Sequence, residues 1–82
     1  MKRNYDYSKL KGRITEKLGS LKRYAELLNI SDTSISNKLN NKVPFTQDEI
    51  LRSADEDVLD IDLDNIKLYF FNKKVGENQT NN

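Results

Sequence analysis

Apolar residues along this chain recur at intervals of three and four, the repeat that gathers side chains on one face of a helix. Leu10, Ile14 and Leu18 form the first stripe, on a helix that begins near residues 6–8 and stops at Gly19. Tyr24, Ala25 and Leu28 form the second, with Leu21 at its edge and Ser20 placed to cap it. Ile35 and Leu39 form the third, over residues 32–40 behind Ser31 as cap. Lys22, Arg23 and Glu26 face outward on the second helix, and Asp32, Thr33, Ser36, Asn37 and Asn40 on the third. Gly12 lies inside the first helix, where it costs about 1 kcal/mol against alanine; a close helix contact at that point would account for it.

Residues 40–42 read as a turn, and the fourth helix then has the best-specified start in the chain. Thr46 and Glu49 are spaced as a capping box, and Phe45 and Ile50 as a hydrophobic staple around it. Ile50, Leu51 and Ala54 carry the apolar face on until the helix fades by Asp57. The acidic series Asp55, Glu56, Asp57, Asp60, Asp62 and Asp64 reads as a solvated connection. Asp62 is placed to cap a last helix over residues 63–71 with Ile66, Phe70 and Leu63 inward. The aromatic run KLYFF also suits a strand, but cap and spacing together favour helix. The end of the chain, GENQTNN, is polar, which predicts one domain over 1–75 and a disordered tail over 76–82.

The second and third helices carry a further pattern. A small residue (Ala25), a residue tolerant of positive φ four positions on (Asn29) and a branched apolar residue ten on (Ile35) have the spacing of a helix-turn-helix. The third helix is rich in Ser, Thr, Asp and Asn, which compete for backbone hydrogen bonds and make it weak alone. Packing must hold it, and its polar groups are then free for contact.

Composition narrows the function. Eighty-two residues suffice for one small domain. Cysteine, histidine and tryptophan are absent, which excludes disulfides and thiolate metal sites and removes the commonest nucleophile and base. No glycine-rich phosphate loop is present, and the acidic series lacks the loop glycine of a calcium-binding EF-hand. No enzymatic activity, metal, cofactor or small-molecule substrate is expected. No apolar run approaches the roughly 20 residues of a membrane span, and the N-terminus lacks the apolar stretch of a secretion signal, so a cytoplasmic protein is expected. The net charge of +1 conceals an asymmetry: residues 1–45 carry ten Lys/Arg against four Asp/Glu, and residues 46–82 carry four against nine. The basic half holds the helix pair, an arrangement suited to a polyanion.

With Ala25, Asn29, Ile30, Ile35 and Leu39 in these positions, residues 7–60 resemble the small Cro- and CI-type regulators of bacteriophages, the lambda-repressor-like helix-turn-helix class. The segments SKLKGRITEKLGS, KLNNKVPFTQDEI and YFFNKKV resemble more closely a family of short phage regulators of uncertain function, out to about Val75. The resemblance implies an all-α bundle of about five short helices, a bacterial host cytoplasm, operator DNA binding and a part in the choice between lysogeny and lysis. Some short proteins of this kind act instead as antirepressors that bind a CI-type repressor. Two positions depart from the class: Leu21 stands where many members have a phosphate-contacting Gln, and Asn29 replaces the usual turn Gly.

Two functions follow as expectations. In the first, the third helix enters the major groove of double-stranded operator DNA. Asp32, Thr33, Ser36, Asn37 and Asn40 then contact bases, and Lys22, Arg23, Lys38 and Lys42 contact phosphates. Affinity from one copy is modest, so a homodimer is expected to assist, with Leu68, Tyr69, Phe70 and Phe71 either closing the core or meeting the partner. In the second, the chain binds a CI-type repressor and modulates its DNA binding, through the acidic series or through the third helix itself.

Overall fold

Left-handed residues set the ends of the first two helices. Gly19, at φ 82°, ends α1 (Ser8–Leu18), and its N–H donates to the carbonyls of Ile14 and Thr15. Asn29, at φ 62°, ends α2 (Leu21–Leu28), and the N–H of Ile30 reaches back to the Ala25 carbonyl. The starts are set by side chains. Ser20 accepts from the Arg23 N–H and Ser31 from the Ser34 N–H, the latter opening α3 (Asp32–Leu39). Thr46 and Glu49 complete a reciprocal capping box at the start of α4 (Gln47–Ala54). A 3₁₀ turn (Leu63–Asn65) leads into α5 (Ile66–Phe70). The computed structural model describes residues 4–73. Met1, the predicted boundary near residue 75 and the predicted polar tail lie outside the described residues.

The fold is all-α, as predicted. Among the described residues the nearest thing to a sheet is a single antiparallel bridge between Tyr5 and Lys73. No helix among them is long and apolar enough to cross a membrane. Helix α2 packs on α1, α3 and α4, while α5 closes against α1 and α4. The core holds Tyr7, Leu10, Ile14, Tyr24, Ala25, Leu28, Ile35, Leu39 and Phe70 from these elements. Val58, Leu59 and Ile61 join them from the segment between α4 and the 3₁₀ turn.

That last contribution corrects the expected solvated connection. Arg13 on α1 donates from Nε to the Leu59 carbonyl and from Nη2 to the Asp60 carbonyl, both at 2.8 Å. Asp60 itself sits at φ 52°. The turn is thus pinned to α1, with its apolar residues inward and its carboxylates outward.

Other local expectations also change. A Cβ at Gly12 would meet nothing within 4 Å, so no close helix contact explains that glycine. Leu51 and Leu63 are exposed rather than inward. Asp62 makes no side-chain cap, and Asn65 N–H bonds its carbonyl instead. The fully buried residue of α4 is Ser53, which donates to the Glu49 carbonyl at 2.7 Å and lies 2.7 Å from the Tyr24 hydroxyl. With its own proton committed to that carbonyl, Ser53 accepts from Tyr24. Burial pushes the Tyr24 phenol up.

Gly19 gives a first prediction. The space around it is open, so Gly19→Ala meets no clash and its cost is the left-handed backbone alone. The expected loss is about 1 kcal/mol, read as a shift in the urea midpoint with an unchanged slope.

Candidate functional site

The three residues 29–31 that join α2 to α3 bring the two short helices together, and the caps at both ends leave the outer face of α3 free of internal bonding. Asp32, Thr33 and Asn40 are exposed, as expected, whereas Ser36 and Asn37 are half-buried. The Asn37 carbonyl accepts from the N–H groups of Lys42 and Val43, which closes the C-terminal end of α3 onto the following loop.

Lys38 departs most from expectation. Predicted to meet phosphate, it is buried, with its side chain 8% exposed. Its ammonium lies 3.0 Å from Glu49 Oε1, donates to the Pro44 carbonyl at 3.1 Å and sits 6.0 Å from the centre of the Phe45 ring. A lysine in this environment is a strut between α3 and the start of α4. Burial alone would push the Glu49 carboxyl up. The Thr46 N–H and the Lys38 ammonium outweigh that and hold it below the ordinary value. With Lys38 withdrawn, the exposed face of α3 carries Asp32 as its charge.

The other expected phosphate contacts are exposed but scattered in role. Arg23 lies 3.5 Å from Glu26 on its own helix, while Lys22 and Lys42 stand free of ion pairs among the described residues. Leu21, at the position of the missing Gln, is half-buried and lines a small hollow of about 210 Å³ with Lys11, Ile14, Thr15 and Leu39. Where a DNA reader would clamp a phosphate, this chain offers a mostly apolar dent.

The C-terminal cluster divides. Phe70 is 2% exposed and closes the core. Tyr69 is half-buried beneath the Lys9 ammonium, which lies 5.8 Å from its ring centre. Leu68 and Phe71 face solvent. In the acidic series, Asp55 and Asp57 are both held by Arg52 at 2.9 Å, and the hydrogen bond from that guanidinium keeps the Asp57 carboxyl below its ordinary value. Glu56, Asp60, Asp62 and Asp64 remain exposed. No group of three or more acidic residues among the described ones is placed to hold a metal ion.

One further hollow was not foreseen. It measures about 420 Å³ and lies between the N-terminal segment, the loop after α3 and the end of α5. Tyr5, Tyr7, Phe45, Phe70 and Phe71 supply its aromatic surface, with Asn41, Lys42, Val43, Pro44 and Ile50. The rings run from core to surface in successive edge or tilted contacts: Phe70 to Phe45 at 5.1 Å, Phe45 to Tyr7 at 5.5 Å, Tyr7 to Tyr5 at 6.1 Å and Tyr5 to Phe71 at 6.0 Å. Burial, with a smaller push from neighbouring Tyr5, raises the Tyr7 phenol. Asn41, at φ 64°, uses its amide as a clasp, accepting from the Tyr5 N–H at 2.9 Å and donating to the Tyr5 carbonyl at 3.0 Å. The Asp6 N–H reaches the Asn72 carbonyl at 2.6 Å. The two ends of the described chain and the loop after α3 are thereby fastened around one apolar groove.

Comparison with known proteins places this arrangement. A family model described as "Protein of unknown function (DUF739)" matches residues 3–73. Among solved structures, the chain is similar to the modulator of repression (MOR) of the temperate bacteriophage TP901-1 from Lactococcus lactis. The two are 44% identical with a TM-score of 0.71, over 89% of this chain and 96% of that one. No curated protein matches.

Proposed function

We propose, on the premise that this chain belongs to the DUF739 family of proteins of unknown function, that it is a phage regulator that acts by binding a repressor protein and modulating that repressor's hold on DNA. The burial of Lys38 carries the reading. A recognition helix whose sole cation is locked against Glu49, and whose exposed charge is Asp32, is repelled by a phosphate-lined groove. The same helix beside an apolar groove suits a protein surface, where depletion of charge at the centre and aromatic enrichment are the usual composition. The likeness to a modulator of repression supports the same conclusion. We read α2, its turn and α3 as a helix-turn-helix of the lambda-repressor-like class in which the reading face has been given over to protein contact.

Three titrations of a phage repressor's operator DNA test the proposal: with this chain, with that repressor, and with both. The chain alone is expected to show no discrimination between that DNA and a random duplex, while its addition changes the repressor's operator occupancy. The operator-binding reading is favoured instead if the chain alone discriminates and a Thr33→Ala, Ser36→Ala, Asn37→Ala variant loses that discrimination with its helix content intact.

A further inference from the structure

We infer that the aromatic groove seats one aliphatic or aromatic side chain from a partner protein in which the adjacent residue is an Asp or Glu paired with Lys42, an inference that rests on the protein-contact reading above. The volume, about 420 Å³, admits such a side chain together with part of the backbone that carries it. Val43 and Phe71 line it with 42% and 45% of their surfaces exposed. Phe70 already closes the core beneath them, so their exposure is not required by folding. An incoming apolar side chain would remove both from water.

Charge then selects what flanks that side chain. Lys38 lies close to Phe45 but is neutralised by Glu49. Lys42 is the charged residue that lines the groove, exposed and without an ion pair among the described residues. Its backbone N–H is tied to the Asn37 carbonyl at 2.8 Å, which fixes where the side chain departs. A carboxylate next to the seated residue gains an opposite charge at the edge of a low-dielectric hollow, and a lysine in its place meets a like charge.

The test uses the full chain, labelled with ¹⁵N, and three blocked tetrapeptides: acetyl-Gly-Leu-Asp-Gly-amide, acetyl-Gly-Leu-Lys-Gly-amide and acetyl-Gly-Ala-Asp-Gly-amide. The first is expected to shift the amides of Asn41, Val43, Phe45 and Phe71 saturably, and the other two to bind about tenfold more weakly. Lys42→Glu should reverse the order of the Asp and Lys peptides while leaving the α2 amides in place. Equal affinity for all three peptides, shifts scattered away from the groove, or no saturable shift overturns the inference. Repressor binding by the wild-type chain and by Lys42→Glu is measured alongside. If the repressor binds both equally and the peptides do not discriminate, the groove assignment falls and the proposed function stands. If the peptides discriminate and the repressor does not bind, the reverse holds.

Discussion

Replacing Lys38 by methionine is expected to lower the unfolding free energy by about 3 kcal/mol, the low end for breaking a buried ion pair. For a domain of this size the melting temperature should fall by roughly 12–24 °C, since each kcal/mol shifts it by about 4–8 °C. The reason is what remains. Glu49 is 14% exposed and keeps its bond from the Thr46 N–H, but loses the ammonium 3.0 Å away. The Pro44 carbonyl loses its donor as well. A second substitution, Glu49→Gln, restores about 2 kcal/mol, because the amide oxygen still accepts from Thr46 and no unpaired charge is left.

The pair also sets a pH dependence. Glu49 has its carboxyl below the ordinary value of 4.5 in the folded protein. Its contribution is therefore complete above that value and lost as pH falls through the lowered folded value. In Lys38→Met the lowering shrinks, so the acid branch of the stability curve flattens. Asp57, held down by Arg52 at an exposed site, is unaffected by the change. Denaturant unfolding of both proteins across the acid range checks this. A Lys38→Met variant as stable as wild type, but weaker on duplex DNA, would return this lysine to the phosphate-contacting role its position in α3 suggested.

Lys38 also shows where sequence reasoning reaches its limit. Caps were legible because their chemistry is local: Ser20, Ser31 and Thr46 each accept from a backbone N–H three residues on, and Gly19 and Asn29 end helices by their own backbone freedom. Glu49 was legible as half of a capping box. Nothing local announces that the same carboxylate also neutralises a lysine in the preceding helix. Val58, Leu59 and Ile61 were hidden for a related reason. Acidic neighbours gave their segment a solvated look, while the segment is anchored by Arg13, whose partner Leu59 is 46 residues away. The apolar positions 58, 59 and 61 were the available signal, outweighed by the charges around them. The groove was less legible still. It exists because Asn41 fastens Tyr5, and because α5 brings Phe70 and Phe71 to the other side. Its walls come from three separate stretches of chain, and no periodicity links them.

Two adjacent phenylalanines should separate folding from function. Phe70→Ala removes a ring with 2% of its surface exposed, at the joint between the core and Phe45. The expected cost is about 3–5 kcal/mol, the usual range for a buried phenylalanine. A small domain has about 5–15 kcal/mol to lose, so much of the population of this variant is expected to unfold on modest heating. Phe71→Ala removes a ring that is 45% exposed and holds an edge contact with Tyr5. Half the burial gives about 1 kcal/mol, and the helices remain. If Phe71 helps to seat a repressor side chain, its removal nevertheless weakens repressor binding about tenfold or more, as expected of an aromatic anchor near the centre of an interface. Circular dichroism melts and a repressor titration on the two variants decide the matter. Wild-type repressor affinity in Phe71→Ala would mean that the groove is not the contact surface, and the exposed polar face of α3 would then be the surface to alter next.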